Sequence, residues 1–185
     1  DVSGKRSRYI LEERVVNTLK YTFNSTINST LSEHASLSAG ITYQSQRNNY
    51  YKKVEDLLGG DFYVDVNQFG ERDFPTNPSA GQNNVLIPNR IVGEGDKFGY
   101  NYDLNIKRGS AWLQGVFKFR KIDLFVATEH SYTSFYRFGN VKTGLFPNNS
   151  YGKSATYNFY NSSIKGGITY KIDGRNYLFA NGSYG

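Results

Sequence analysis

The stretch NTLKYTFNSTINSTLSEHASLSAGITYQSQ, from Asn17 to Gln46, decides the fold. Most odd positions are apolar and most even positions are polar, with a polar break near the middle. The apolar odd positions are Leu19, Tyr21, Phe23, Ile27 and Leu31 before the break, and Leu37, Ala39, Ile41 and Tyr43 after it. A period of two is typical of a β-strand with one apolar face and one polar face. The stretch therefore predicts two long strands joined by a tight turn.

The same alternation recurs along the rest of the chain, which is 16% aromatic and so favours strands further. A change of parity near Gly109 predicts a bulge in the third strand, and another near Gly166 and Gly167 predicts one in the fifth. Six strands are predicted in all, at about Arg14–Ser32, Ser36–Gln46 with a possible extension to Lys53, Phe98–Phe119, Ile122–Arg137, Ser154–Ile172 and Tyr177–Tyr184. The predicted fold class is all-β, an antiparallel up-and-down meander of about six long strands.

The predicted connections alternate between short and long. SEHA, RKID and DGRN are tight hairpin turns, and Asp-Gly is a strong signal for one. Residues 47–96 and 138–153 form the long connections. Short turns at one end and long loops at the other are typical of outer-membrane β-barrels. We therefore expect residues 47–96 to be a long extracellular loop.

The length of the first strand points the same way. At roughly 3.3 Å per residue it would span about 60 Å, whereas crossing a bilayer takes only about 9–11 tilted residues. The apolar face would contact lipid and the polar face a wet interior. Because the smallest such barrels have about eight strands, residues 1–185 are expected to be one segment of a larger transmembrane β-barrel. The alternatives are a soluble or surface β-domain that binds carbohydrate or protein, and a passive porin or adhesin.

The net charge of +6 raises the question of nucleic acid, but its distribution argues against that partner. Residues 47–97 carry six basic and eight acidic side chains, and the eleven basic side chains of residues 98–185 are mostly spread singly along strands and turns. A nucleic-acid-binding protein more often concentrates its cations in one patch. The chain contains no Cys, which excludes disulfides and thiol catalysis. We expect no nucleic-acid partner.

No motif in the sequence predicts catalysis, a cofactor or a metal. YGKS, at Tyr151–Ser154, lacks the Gly that a phosphate-binding loop needs five positions before its final Gly. His34 and His130 have no second ligand at metal spacing. An acidic series does not match the calcium-loop pattern and is expected to be solvated: Asp56, Asp61, Asp65, Glu71 and Asp73. The protein is therefore predicted not to be an enzyme.

Aromatic residues in the long connection are the candidate ligand-binding residues. Exposed rings in an outer loop can stack on planar or apolar parts of a ligand. An alternative is that they form a small core, because a connection of this length needs its own packing. The candidates are Tyr50, Tyr51, Phe62, Tyr63, Phe69 and Phe74.

Three stretches resemble the barrel of TonB-dependent outer-membrane receptors of the Bacteroidetes type. They are KKVEDLLGGDFYVDVNQFGERDF at Lys52–Phe74, AWLQGVFKFRKIDLFVA at Ala111–Ala127, and the part from SFYRFGN to ANGSYG at Ser134–Gly185. The resemblance covers most of the chain from about Arg14 onward. It is strongest in DLLGGD and in the region from YGKS to ANG.

That resemblance implies a barrel of about 22 strands in the Gram-negative outer membrane, filled by a plug domain. It implies import of a nutrient such as a siderophore, a cobalamin, a glycan or a peptide. The partners it implies are outer-membrane lipid, the rest of the barrel and plug, the TonB complex and the small nutrient. Neither a plug nor a TonB box is recognisable in this sequence, so the chain is expected to be a mid-barrel piece.

Overall fold

The computed structural model describes residues 3–185, which fold almost entirely as β-structure. The described part contains strands β1 to β9 and one short helix, α1. Their bounds are β1 Leu11–Ser32, β2 Ala35–Asp56, β3 Tyr63–Val64, α1 Gln68–Asp73, β4 Ile91–Val92, β5 Lys97–Lys118, β6 Ile122–Gly139, β7 Gly152–Lys153, β8 Tyr157–Lys171 and β9 Tyr177–Tyr184. Within residues 3–185, no helix is both long enough and apolar enough to cross a membrane.

The six long strands form one antiparallel up-and-down meander, which confirms the predicted fold class. They lie in the order β1-β2-β5-β6-β8-β9, while β7 pairs with β6 outside this order and β3 pairs with β4 separately. The sheet is open, because β1 and β9 each have one neighbour in that order. Consecutive strands alternate in direction, so the connections alternate between the two ends of the sheet, the short turns at one and the long connections at the other.

The second strand is longer than its alternation predicts. β2 continues to Asp56, so the connection to β5 comprises residues 57–96, and residues 47–56 of the predicted loop are strand instead. The polar side chains of this extension find partners on β5, where Arg47 Nη2 bonds Asp103 Oδ2 and Asn49 Nδ2 bonds Asn101 Oδ1. Cross-strand polar pairs therefore replace the apolar alternation that a sequence pattern can detect.

The bulge predicted near Gly166 and Gly167 is wrong. β8 pairs with β6 in one unbroken register from Tyr157 to Tyr170, and with β9 from Ile164 to Lys171. Gly167 lies opposite Phe125, and a Cβ at position 167 would lie 2.5 Å from the Phe125 ring. Gly167 therefore makes room for a neighbouring ring, an effect known to stabilise glycine positions in sheets.

The described residues divide into two compact units. Unit 1 comprises the residues up to Leu19, Gln46–Asn105 and Tyr136–Thr156, and unit 2 comprises Lys20–Ser45, Ile106–Phe135 and Tyr157–Gly185. Unit 1 has a small core of Val54, Leu57, Tyr63, Val92 and Phe98, with Ile10 packed against it.

Unit 2 is different, because Ala127 is its only buried hydrophobic residue among those described. Its strands leave many large apolar side chains exposed, such as Ile27, Phe23 and Leu178. A sheet with no covered face has no core of its own, since each sheet face normally packs on another layer. Unit 2 therefore presents apolar surface that folding of the described chain does not bury.

Candidate functional site

The two long connections, residues 57–96 and 140–156, are joined by hydrogen bonds within unit 1. Val85 N donates to Lys142 O at 2.8 Å, and Gly144 N donates to Gln82 O at 2.9 Å. Gly144 permits this approach, because a Cβ there would lie 1.6 Å from Ser79 O. The two connections therefore pack together through backbone hydrogen bonds, and we call residues 57–96 and 140–156 together the loop wall.

Asp65 fixes the first of these connections to β5. Its carboxylate accepts hydrogen bonds from Asn83 Nδ2 at 2.8 Å, Arg90 Nη2 at 3.0 Å and the Gly99 N–H at 2.8 Å. Asp65 is only 3% exposed. A buried carboxylate needs partners of this kind, because an unpaired buried charge is strongly unfavourable.

The acidic series is therefore only partly solvated. Asp65 contradicts the prediction that all five members face water, whereas Asp56, Asp61, Glu71 and Asp73 are exposed. Asp65 differs because Arg90 and Asn83 from the same connection fold back onto it. Among residues 3–185, no group of three or more His, Cys, Asp or Glu side chains is arranged to hold a metal ion.

The segment before β1 packs against the same connection. Ser7 N donates to Phe62 O at 2.7 Å, and Asp61 N donates to Lys5 O at 2.8 Å. The buried Ser7 hydroxyl donates to Leu57 O at 2.6 Å. These bonds bring Arg8 and Tyr9 beside the loop wall.

A cavity of about 530 Å³, which we call the loop cavity, opens between these segments of unit 1. Its volume is within the roughly 300–1,000 Å³ typical of small-molecule sites. Three exposed rings line it, Tyr9 at 72%, Phe69 at 69% and Phe146 at 63% exposure. Each comes from a different segment: the one before β1, the helix α1, and the connection after β6.

The inner wall of the loop cavity is also aromatic. Tyr63, Phe98 and Tyr100 line it, and the Tyr63 and Phe98 rings meet edge to face at 5.8 Å. Burial, together with the nearby Asp65 carboxylate, raises the pKa of Tyr63. The Tyr63 phenol therefore stays neutral at ordinary pH.

The charged side chains that line the loop cavity are Arg8, Glu12 and Lys52. Lys52 Nζ lies 2.8 Å from Glu12 Oε2, and Arg14 Nε lies 2.9 Å from Glu12 Oε1. Burial alone would raise the pKa of Glu12, but the hydrogen bonds from Lys52 and Arg14 outweigh it and the pKa is lowered. Glu12 is therefore ionised and compensates Lys52. The Arg8 guanidinium lies 5.9 Å from the centroid of the Tyr9 ring and has no acidic partner among residues 3–185.

Most amide side chains that line the cavity are already engaged. Asn67 Oδ1 accepts from Phe69 N and Gly70 N at the start of α1. Gln82 is bonded to Asn89 through both its amide nitrogen and its oxygen, and Asn83 donates to Asp65. Among the hydroxyl groups of the lining, the buried Oγ1 of Thr143 has no hydrogen-bond partner within the described chain.

A second polar network of unit 1 surrounds Asp103, which is 2% exposed. Its carboxylate accepts from Arg47 Nη2 at 2.8 Å, Asn49 Nδ2 at 2.9 Å and Asn140 Nδ2 at 3.3 Å. Burial would raise the pKa of Asp103, but the bonds from Arg47, Asn140 and Asn49 lower it overall. The network joins β2, β5 and the chain after β6.

Two of the six sequence-predicted residues line the loop cavity: Tyr63 belongs to the small core and Phe69 is exposed at the opening. Tyr50 and Tyr51 lie on β2 instead of in a loop. Tyr50 stacks on Tyr102 at 5.1 Å, and Lys97 Nζ lies 3.9 Å from the Tyr51 ring centroid.

The remaining two predicted residues are placed away from the cavity lining. Phe62 forms an isolated backbone bridge with Arg6, and Phe74 follows α1 with its ring exposed. Their part in ligand binding stays a prediction. Arg8, Tyr9, Tyr100 and Phe146 also line the cavity and were not predicted from the sequence, because they lie outside residues 47–96.

No protein-family model, curated protein or solved structure matches this chain. The proposals that follow therefore depend on the geometry of the chain and on the sequence resemblance alone.

Proposed function

We propose that this chain is a wall segment of an outer-membrane β-barrel, of the TonB-dependent receptor type that its sequence resembles. In this proposal the segments of unit 2 contact lipid and unit 1 captures a small nutrient. The protein carries out no covalent chemistry. Uptake would be driven through the plug and the TonB complex, as the resemblance implies.

One observation carries the proposal: the sheet formed by β6, β8 and β9 is amphipathic, with one apolar face and one mainly polar face. Residues paired across an antiparallel sheet share a face. On one face, Ile122 pairs with Tyr170 and Leu124 with Ile168, and β9 continues both rows. The exposed apolar residues on this face are Val126, Tyr132, Tyr160, Ile164, Ile168, Tyr170, Leu178 and Tyr184. Contiguous exposed apolar surface of this kind marks a membrane or protein contact.

The opposite face of the same strands is mainly polar. Lys171 Nζ lies 2.6 Å from Asp123 Oδ1 on this face. The apolar exceptions along residues 123–131 and their partners are Ala127, which is buried, and the rings of Phe125 and Phe179. The other members are Asp123, Glu129, Ser131, Asn161, Ser163, Lys165, Gly167, Thr169, Asn181 and Ser183. A polar face turned to a wet lumen and an apolar face turned to lipid are what a transmembrane barrel requires.

The extent of the apolar face suits a bilayer. From Ile122 to Tyr132 the face spans eleven positions, which agrees with the roughly 9–11 residues of a tilted transmembrane strand. Tyr170 lies in the first row, and the last row holds Tyr132 and Tyr160, whose ring centroids are 4.8 Å apart. Tyrosines at both edges of an apolar band are typical of membrane interfaces.

Three polar side chains interrupt this face, and they satisfy one another. His130 Nδ1 lies 2.9 Å from Ser162 Oγ, and His130 Nε2 lies 3.2 Å from Thr128 Oγ1. Polar groups next to hydrocarbon need such partners, because lipid offers none. This trio is therefore compatible with a lipid-facing position one row from the Tyr132–Tyr160 pair.

The absence of Cys from the sequence allows a direct test with single cysteines. Thr76 is exposed in the long connection after β2, and Gly174 lies in the β8–β9 turn, where an added Cβ meets nothing within 4 Å. T76C and G174C would be made in the natural gene product. Intact cells would then be treated with a thiol reagent that cannot cross the outer membrane.

Labelling of T76C with protection of G174C is expected, because the two connections leave opposite ends of the meander. Disrupted cells should label both variants equally, which controls for reactivity. Equal labelling in intact cells, with the protein released without detergent, would contradict the membrane proposal and favour a soluble or surface β-domain.

A further inference from the structure

We propose that the loop cavity binds a small organic anion with a planar, apolar body and one carboxylate, and that Arg8 pairs with the carboxylate. The inference deepens the proposed function, since it rests on unit 1 being the part that captures a ligand. It names the ligand by the chemistry of the side chains that line the cavity.

The planar body follows from the rings. Tyr9, Phe69 and Phe146 are each more than three-fifths exposed, and all three line one cavity. Tyr63, Phe98 and Tyr100 line it as well. Aromatic rings stack on flat apolar groups in offset or edge-to-face arrangements. Six rings from five segments of the chain thus favour a flat apolar ligand over a flexible polar one.

The negative charge follows from the balance of the lining groups. Glu12 is ionised and paired with Lys52, so these two charges cancel. Arg8 carries the remaining charge and has no acidic partner among the described residues. A guanidinium beside an apolar cavity is well suited to a carboxylate, which it can bind through two parallel hydrogen bonds. A cationic ligand would instead meet a site of net positive charge.

The engaged amides argue against a neutral sugar. Recognition of many hydroxyl groups needs many free donors and acceptors. Gln82 already uses both of its amide atoms within the protein, and Asn67 and Asn83 each use one. Thr143 Oγ1 is a buried hydroxyl of the lining that lacks a partner. This hydroxyl and the Arg8 guanidinium offer polar contacts to the charged end of a ligand whose body packs on the rings.

The test compares two probes that differ only in charge, naphthalene carboxylate and its neutral carboxamide. Binding to the purified full-length protein would be measured by titration calorimetry, at low and at raised salt. The carboxylate is expected to bind about tenfold more tightly than the carboxamide, because a charge-assisted pair is stronger than a neutral one.

R8Q is expected to weaken carboxylate binding about tenfold and to leave carboxamide binding unchanged. The matched control is R175Q, which removes an exposed arginine from the β8–β9 turn and should change neither affinity. F69A should weaken both probes alike, because it removes a ring and no charge.

Equal binding of the two probes, or carboxylate binding that R8Q does not change, would overturn this inference. The cysteine labelling distinguishes the two proposals. If T76C is labelled and G174C is protected but the carboxylate does not bind, only the ligand proposal is wrong. If the carboxylate binds but both cysteines are labelled equally, only the membrane proposal is wrong.

Discussion

Phe125 lies directly opposite Gly167 on the neighbouring strand, and its ring fills the space that a side chain at position 167 would occupy. Trp112 stands in the same relation to Gly40, where an added Cβ would lie 2.5 Å from the indole nitrogen. A ring placed over a glycine covers backbone that would otherwise be exposed. Unit 2 buries only one hydrophobic residue among those described, so such cross-strand contacts contribute much of its internal packing.

G167A should therefore destabilise the fold by about 1–3 kcal/mol, because the new methyl group displaces the Phe125 ring. The measurement is urea unfolding of the protein in detergent. The control is G182A, on the next strand, where an added Cβ meets nothing within 4 Å; it should cost less than about 0.5 kcal/mol. In the F125A background, G167A should lower the unfolding free energy by less than it does alone, because the ring that it displaces is absent. Strictly additive losses of unfolding free energy would contradict the contact between Phe125 and Gly167.

Asp103 is expected to make the free energy of unfolding depend on pH in the acid range. The pKa of Asp103 is lower in the folded protein than in the unfolded chain, where it is about 3.9. Asp103 therefore stabilises the fold fully at pH values above the unfolded pKa, and this stabilisation is lost as the pH falls through the folded pKa. D103N should lower the unfolding free energy at neutral pH by about 1–3 kcal/mol and should remove this part of the acid sensitivity.

Unfolding curves at neutral pH and at about pH 3 measure both effects. D73N is the matched control, because Asp73 pairs with Arg72 on the exposed surface, and it should change stability by less than about 1 kcal/mol. An acid dependence identical in D103N and the unchanged protein would show that Asp103 is not the group responsible.

Asp65 is expected to hold the loop cavity together. D65A removes three hydrogen bonds and leaves Arg90 without its carboxylate partner, which should cost about 3 kcal/mol. Amide hydrogen exchange within residues 57–96 should become faster, while exchange in β8 should not change. E71Q, an exposed change in the same connection, should leave both unchanged. Unaltered protection in D65A would contradict the anchoring role.

G144A should separate the two long connections. Its new Cβ would collide with the backbone carbonyl of Ser79, so the bond from Gly144 N to Gln82 O cannot form in its present geometry. Binding of naphthalene carboxylate should fall at least about tenfold, a loss comparable to that of one strong polar contact. G174A, in an open turn, is the control. Unchanged binding in G144A would mean that the cavity does not need the docked connections.

The period-two alternation predicted the strands well, because a half-covered strand must place its apolar side chains on alternate positions. The extension of β2 beyond Gln46 was predicted only as a possibility and only to Lys53, because Arg47 and Asn49 satisfy their polar groups across strands and leave no alternation. The bulge near Gly167 was predicted wrongly, because the pairing of a glycine with a ring on another strand cannot be read from local parity.

The loop cavity was predictable only in part. Tyr63 and Phe69 were proposed because they belong to one aromatic-rich connection, and both line the cavity. Tyr9 and Phe146 lie far apart in sequence, and hydrogen bonds between the loops place both beside the same cavity. The burial of Asp65 could not be predicted from the sequence either, because the neighbouring acidic residues, with a similar local sequence, remain exposed.

The central claim, that one face of β6, β8 and β9 contacts lipid, is tested most directly by two adjacent lysine substitutions on β8. Ile168 pairs with Leu124 on the apolar face, and Thr169 pairs with Asp123 on the polar face. I168K should lower folding stability in lipid vesicles by about 2–4 kcal/mol, because a charge on the lipid face is costly. T169K should fold and insert like the unchanged protein. Equal insertion of both variants, or a larger loss in T169K, would contradict the account.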